Sequence, residues 1–195
     1  MTAYPLFDFT NWDAALAAEA GARPDQLPAL VPGVEPAGQV LPDLPGAGAL
    51  VGGGTIDALA EQMVAGADEA GDVLVLCGTT LITWGVLDGS AEVPGLWTIP
   101  HTAPGHSLIG GPSNAGGLFL DAVRRWLGPA EVDEVAPADL PVWLPYVRGE
   151  RTPLHRRDLR ASVAGVGLHH TPAHLLRAAY EASGTHVMHL QKAIE

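Results

Sequence analysis

The chain has 195 residues, 47% hydrophobic and 16% charged, with a formal net charge of −12. This length suffices for one domain with a sizeable core, and the acidic balance argues against non-specific nucleic-acid binding, which depends on neutralising phosphates. We expect a cytoplasmic protein with no membrane contact, because no apolar run approaches the ~20 residues of a membrane span, no signal peptide is visible, and the single cysteine, Cys77, excludes an internal disulfide.

The first quarter of the chain predicts little regular structure. Asn11 is placed to cap a short helix over residues 12–20, which Gly21 ends. Six prolines within residues 24–45 then indicate an extended, turn-rich connector. We therefore assign residues 1–47 to an N-terminal extension and linker, and residues 48–195 to a partial second domain.

Regular structure is predicted from Gly48 onward. Two apolar runs surround the turn Gly78-Thr79-Thr80, which predicts a β-hairpin over residues 73–87. The remaining predicted elements are a strand at 49–53, a helix at 57–65, a strand at 106–110, a helix from a Ser113 cap to Leu127 that Gly128-Pro129 ends, an acidic loop at 131–140, strands at 142–144 and 161–166, and a helix from Thr171-Pro172 toward Glu195.

Two of these helices carry apolar stripes at helical spacing. The stripe of the first comprises Ile56, Leu59, Ala60, Met63 and Val64. The stripe of the last comprises Leu175, Ala179, Ala182, His186, Leu190 and Ile194. The stripe of the last helix is one candidate surface for pairing with another chain.

Asp57 is the first candidate for chemistry. It stands at the start of a helix, after a short strand and the glycine-rich turn that begins at Gly52. A carboxylate there can accept the proton of a substrate hydroxyl during phosphoryl transfer. The alternative is an acid that complements the positive end of the helix dipole.

A second candidate is the turn Gly78-Thr79-Thr80. Its backbone amides and hydroxyls can hold phosphate oxygens, although an ordinary hairpin turn would use the same residues. The segment from Gly110 to Gly117, with Asn114, opens a helix with small residues and free amides, which suits either a nucleotide contact or close helix–sheet packing. It lacks the lysine of a Walker A phosphate loop.

Other polar residues give weaker signals. The histidines do not form an HExxH pattern and Cys77 has no partner cysteine, so we expect no metal ligands in the chain. Glu150 and Arg151, within RGERTP, are expected to form an ion-paired loop.

Several segments resemble the FGGY carbohydrate kinases, in the family's order and over roughly residues 30–195. ASVAGVGLHHTPAHLLRAAYE resembles the C-terminal signature, and WLPYVRGERTP resembles the LPYLxGERTP loop of the xylulokinase branch. GLWTIPHTAPGHSLIGGPSNAGG resembles a hairpin followed by the nucleotide-side helix start, and VLVLCGTT the second phosphate turn. GGGTIDALAEQ resembles the segment with the catalytic aspartate, although the acid stands later after the glycines here.

The resemblance implies an α/β fold, an RNase H-like lobe of the actin/Hsp70/sugar kinase ATPase superfamily that is incomplete and carries an N-terminal extension. It implies phosphorylation of a sugar or polyol hydroxyl with ATP and Mg²⁺. Asp57 would be the general base, and Gly78, Thr79 and Thr80 would lie by the phosphates. Asn114, Gly116 and Gly117 would lie near the nucleotide.

The chain also departs from the family. We expect the first phosphate loop and most sugar contacts to belong to an N-terminal domain that this chain lacks, and the adenosine-binding Gly-Gly segment to follow Glu195. Two hypotheses remain open: part of a kinase that is inactive alone, or a non-catalytic scaffold or oligomerisation protein. A homo-oligomer or a complementing chain is expected in either case, because a partial lobe leaves apolar faces and sheet edges uncovered.

Overall fold

A computed structural model describes residues 6–7, 11–31, 35–132 and 135–194 of the chain. It contains two compact units, Met1–Val64 and Ala65–Glu195. In the described residues the helices are α1 (Ala14–Glu19), α2 (Asp57–Ala65), α3 (Gly117–Leu127) and α4 (Pro172–Ile194). The strands are β1 (Pro36–Gln39), β2 (Leu50–Gly52), β3 (Val73–Cys77), β4 (Leu81–Asp88), β5 (Trp97–Pro100), β6 (His106–Ser113), β7 (Val142–Leu144) and β8 (Ser162–Ala164).

The first unit begins with a short capped helix. The Asp13 carboxylate accepts hydrogen bonds from the amides of Ala15 and Leu16, each 2.9 Å long, and so caps α1. The predicted cap at Asn11 is therefore wrong, and the helix starts two residues later than expected. Gly21, at φ 82°, follows the helix end as predicted.

The predicted connector forms one strand of an antiparallel ribbon. Strand β1 pairs with β2, and both strands are exposed. The sequence did not predict β1 because Pro-Ala-Gly-Gln contains no β-branched or aromatic residue. Strand β2 and helix α2 lie where they were predicted. The apolar stripe predicted for α2 is not a buried face of the helix: Met63 is 59% exposed and Val64 90% exposed, while Gln62 is buried.

A four-stranded antiparallel sheet in the order β3-β4-β6-β5 forms the centre of the second unit. Strands β3 and β4 pair from Val73↔Gly85 to Cys77↔Leu81, which confirms the predicted hairpin. Strand β6 runs further than predicted, to Ser113. Strand β5 pairs along it and completes the second hairpin that the family resemblance implied.

Two helices supply the rest of the core. Phe119 and Val123 of α3 are fully buried and pack with Leu176 and Ala179 of α4. Helix α3 starts at Gly117 with Gly116 at its N-cap and without a side-chain cap, so the predicted Ser113 cap is wrong. Ser113 is instead the last residue of β6, and its hydroxyl is bonded to a carboxylate described below.

The last elements follow the sequence closely. Strands β7 and β8 pair antiparallel, and α4 begins at Pro172, one residue after the predicted Thr171 boundary residue. The predicted acidic loop contains a 3₁₀ turn, Pro137–Asp139, while residues 133–134 and Glu195 lie outside the described residues. Among the described helices, none combines the length and apolarity needed to cross a membrane.

Candidate phosphate-binding site

The turn between β3 and β4 is joined to the start of α3 by two backbone hydrogen bonds. The amide of Gly117 donates to the carbonyl of Gly78 over 2.8 Å, and the amide of Leu118 donates to the carbonyl of Thr79 over 3.1 Å. The structure therefore brings together Gly78, Thr79, Gly116 and Gly117, which were predicted as site residues from two separate motifs. The first amides of a helix lack partners within it, and here the turn carbonyls satisfy two of them.

The close approach depends on glycine at two positions. A Cβ on Gly116 would lie 2.4 Å from the nitrogen of Leu81 and 2.5 Å from the carbonyl carbon of Thr80. A Cβ on Gly117 would lie 2.7 Å from the oxygen of Gly78. Both would meet backbone, which cannot turn aside as a flexible side chain can. This geometry supports the packing alternative for the two glycines, and the amide of Gly117 is engaged with the turn.

The same two bonds orient the turn. The peptides that follow Gly78 and Thr79 are trans, so each carbonyl and the next amide point in opposite directions. Since both carbonyls face α3, the amides of Thr79 and Thr80 face away from it. Thr79 is exposed and Thr80 half-buried, and neither amide nor hydroxyl of the two has a hydrogen-bond partner among the described residues. Unpaired backbone amides beside hydroxyls in a turn can bind an anion such as phosphate.

Asn114 lies just before this helix start, but its side chain points to another loop. Its Nδ2 donates to the carbonyls of Arg148 and Gly149, over 3.3 and 3.1 Å. The neighbouring Glu150 carboxylate accepts from the hydroxyl of Ser113 and from the amides of Asn114 and Arg151. In the structure as described, Glu150 makes no salt bridge with Arg151, so the expected ion-paired loop is wrong.

The hydrogen bonds between Glu150 and the segment before α3 were not predicted from the sequence. The motif RGERTP shows an acid beside a base, which favours an ion pair when only neighbours in the chain are considered. Two of the three donors to Glu150 are instead 36 and 37 residues away in sequence.

Asp57 is the first residue of α2 and lies in the other compact unit. Its side chain is exposed, and its Oδ1 accepts from the amide of Ala58 over 2.8 Å. The carboxylate thus lies at a helix N-terminus, where it interacts favourably with the helix dipole. Its second oxygen has no hydrogen-bond partner among the described residues and remains available to a ligand.

A separate cluster joins Asp139 to two histidines, and ligand atoms of the three lie within 4.8 Å of one another. The side chain of His170 is 4% exposed, with its Nε2 3.7 Å from Asp139 Oδ1. Its Nδ1 accepts from the amide of Gly167 over 2.7 Å, which places the proton of the neutral ring on Nε2. A protonated Nε2 has no lone pair for a metal. The hydrogen bond from His169 lowers the pKa of Asp139, so the cluster fits a hydrogen-bonded group better than a metal site.

A cavity of about 350 Å³ lies between β7 and α4. His186 lines it and is itself buried, 5% exposed. Burial, with a smaller contribution from His189, lowers the pKa of His186 to about 4, so this ring is neutral at pH 7. This neutral, buried imidazole is thus part of the cavity wall, which also includes Tyr146, Glu181 and His189.

Comparison with known proteins gives a consistent result. The model of the C-terminal domain of the FGGY family of carbohydrate kinases matches residues 74–195. Xylulose kinase of Klebsiella pneumoniae is 29% identical over 188 residues, covering 89% of this chain and 39% of that protein. Gluconokinase of Bacillus subtilis is 27% identical over 198 residues, covering 88% of this chain and 38% of that protein.

The likeness extends to three dimensions. The crystal structure of xylulose kinase from Rhodospirillum rubrum matches with a TM-score of 0.80 and 29% identity, over 93% of this chain and 41% of that one. This match confirms the predicted fold, a partial α/β lobe of the actin/Hsp70/sugar kinase superfamily. The chain thus spans about two fifths of the relatives that it matches.

Proposed function

The chain belongs to the FGGY family of carbohydrate kinases, and from that premise we propose that it is part of an ATP-dependent kinase for a pentulose or polyol. In this proposal the complete enzyme transfers the γ-phosphate of ATP to a sugar hydroxyl in the cytoplasm. This chain alone turns over substrate poorly, because phosphoryl transfer depends on positioning and charge stabilisation from two closing lobes.

One observation carries the proposal. The amides of Thr79 and Thr80 face away from α3, on a frame fixed by backbone hydrogen bonds, and the two hydroxyls beside them have no partner among the described residues. A rigid set of donors suits phosphate oxygens, which carry most of the negative charge of ATP. Mg²⁺ would accompany the nucleotide, held largely by its phosphates, and would neutralise charge that develops during transfer.

The residues divide the work as follows. Thr79 and Thr80 bind phosphate oxygens, and Gly78 lets the chain turn beside them. Gly116 and Gly117 allow α3 to approach and hold that turn in place. Asp57, exposed and with an unengaged oxygen, accepts the proton of the attacking hydroxyl.

The test of Asp57 is the conversion Asp57→Asn. The amide keeps the shape of the side chain but cannot accept the proton, so turnover should fall at least ~100-fold while the melting temperature stays close to that of the wild type. The assay is ATP-dependent phosphorylation of a panel of pentuloses and polyols, with and without a complementing N-terminal lobe. The control is Glu61→Gln, at an exposed side chain on the same helix as Asp57. Asp72→Asn is not a suitable control, because the Asp72 carboxylate accepts hydrogen bonds from two backbone amides.

Different results would refute the two parts of the proposal. Robust turnover by the isolated chain would refute its dependence on further segments. Full activity of the complemented Asp57→Asn protein would remove Asp57 from the role of base. Loss of activity in Glu61→Gln as well would point to a disturbed helix instead of lost proton transfer.

A second candidate function is a scaffold that associates with itself or with a complementing chain. The β7–β8 ribbon exposes Val142 by 64% and Leu144 by 48%, and Leu168 beyond it is fully exposed. Apolar side chains grouped in this way favour a protein partner. Light scattering at increasing protein concentration should show association, and a clean monomer throughout would exclude self-association.

A further inference from the structure

The most completely bonded carboxylate outside the proposed transfer chemistry is that of Glu150, which is 2% exposed. Its Oε2 accepts from the hydroxyl of Ser113 over 2.9 Å. Its Oε1 accepts from the amides of Asn114 over 3.1 Å and of Arg151 over 2.7 Å. A buried carboxylate is tolerated when hydrogen bonds replace its water, and three donors achieve this here.

Glu150 is itself fixed on its own loop. Its amide donates to the carbonyl of Arg156 over 2.7 Å, and its carbonyl accepts from the amide of Arg156 over 2.8 Å. The carboxylate is therefore held from one side by its backbone and reaches across to the end of β6. It joins two loops that no other side-chain carboxylate connects in the described part of the chain.

The segment that it holds leads directly to the candidate site. Ser113 Oγ, which donates to Glu150, also accepts from the amide of Ala115 over 3.0 Å. The carbonyl of Ala115 accepts from Ser183 of α4 over 2.6 Å. The next two residues, Gly116 and Gly117, are those that contact the turn. The course of residues 113–117 is thus set before α3 begins.

We propose that Glu150 is a positioning residue for the turn at Gly78–Thr80, acting through residues 113–118, an inference that rests on the proposed function of that turn. The carboxylate fixes the end of β6, which places the amides of Gly117 and Leu118 against the turn carbonyls. Those carbonyls in turn aim the amides of Thr79 and Thr80 at the phosphate. Glu150 does not touch the nucleotide in this account.

The substitutions that test this differ in the acceptors that remain. In Glu150→Ala, three buried donors lose their acceptor. In Glu150→Gln, the amide oxygen still accepts from the two backbone amides, and the Ser113 hydroxyl can rotate to accept from the side-chain NH₂. We therefore expect the alanine variant to loosen the segment and the glutamine variant to restore most of its order. Glu92→Ala, at an exposed carboxylate in a loop, is the matched control.

The first measurement is amide hydrogen exchange of the whole chain by NMR, without ligand. In Glu150→Ala, exchange at Gly117 and Leu118 should accelerate at least ~10-fold, the loss expected when hydrogen bonds to a charged group are removed. The amide of Val86, bonded to the carbonyl of Asp72 on the far side of the sheet, is the internal reference. Equal acceleration at Val86 would show global destabilisation and would overturn the positioning role.

The second measurement is calorimetric titration with Mg-ATP. The expected result is about 10-fold weaker binding in Glu150→Ala, recovery in Glu150→Gln, and wild-type affinity in Glu92→Ala. Wild-type affinity and exchange in Glu150→Ala would overturn the proposal. If the wild type itself does not bind Mg-ATP, phosphate binding by the turn in this chain alone is refuted, while the exchange experiment still decides whether Glu150 positions the turn.

Of these variants, Glu150→Ala has the greatest risk of failing to fold. If it does not fold, Ser113→Ala provides the same test, since it removes one donor to Glu150 and leaves the carboxylate with its two amides. Faster exchange confined to Gly117 and Leu118 would then support the proposal. Unchanged exchange at both amides would contradict it.

Discussion

The two compact units differ in how much of their own surface they bury. Among the described residues of Met1–Val64, Phe7 and Ala17 are the only buried apolar side chains. The described residues of Ala65–Glu195 include sixteen, from Ala67 to Leu190. Rigid geometry requires dense packing around it. The turn at Gly78–Thr80 therefore lies in the densely packed unit, while Asp57 lies in the unit with few buried apolar side chains.

The largest expected difference between the units is in stability. Phe119→Ala removes a fully buried ring from the α3–α4 core and should lower the free energy of unfolding by about 3–5 kcal/mol. Met63→Ala, at a side chain that is 59% exposed, should change it by less than about 0.5 kcal/mol. Urea unfolding of both variants measures the contrast, and similar losses would contradict the comparison.

A pH dependence follows from the core beneath the cavity. Because the pKa of His186 is about 4 in the folded chain and near 6.5 when unfolded, the unfolded state binds the extra proton between these values. Stability should therefore fall as the pH is lowered through this window, by up to about 3 kcal/mol. Melting temperatures of the wild type and His186→Gln measure this effect, and the two should converge toward pH 4.

The closest packing at the candidate site gives a smaller effect on stability and a clear one on binding. Gly116→Ala would press a Cβ against the backbone at Leu81 and Thr80, and should cost about 1–3 kcal/mol. Because the clash displaces the turn, Mg-ATP binding should weaken by calorimetry. Gly184→Ala, where nothing lies within 4 Å, should instead stabilise α4 by about 0.5–1 kcal/mol and leave binding unchanged. Equal Mg-ATP affinity of the two variants would show that Gly116 is not needed for nucleotide binding at the turn.

The sequence predicted the elements whose signals are local. The hairpin around Gly78 and the start of α4 beside Thr171 depend on neighbouring turn and helix-start residues, and both are confirmed. The strand at Pro36 lacked residues with a β preference. Helix α3 begins at Gly117, later than its apparent cap, and the Ser113 hydroxyl donates to a carboxylate distant in sequence, that of Glu150, which no local signal predicts.

The candidate site was predicted in its parts and not in its arrangement. Gly78 and Gly117 could each be named from their motifs, but the hydrogen bond between them depends on tertiary packing. The free amides expected at the α3 start proved to be bonded, and those that remain available belong to Thr79 and Thr80. The roles of Asp57 and of the phosphate turn remain predictions, because they concern contacts with ligands.

The most direct test of the central claim is an NMR titration of the wild-type chain with Mg-ATP, with the free sugar as a control. The account predicts that the amide resonances of Thr79 and Thr80 shift most, with smaller shifts at Gly117 and Leu118, and that Thr79→Pro, which removes one of these amides, reduces the affinity. Shifts that leave Thr79 and Thr80 unchanged while other residues respond, or no shift at saturating Mg-ATP, would contradict it.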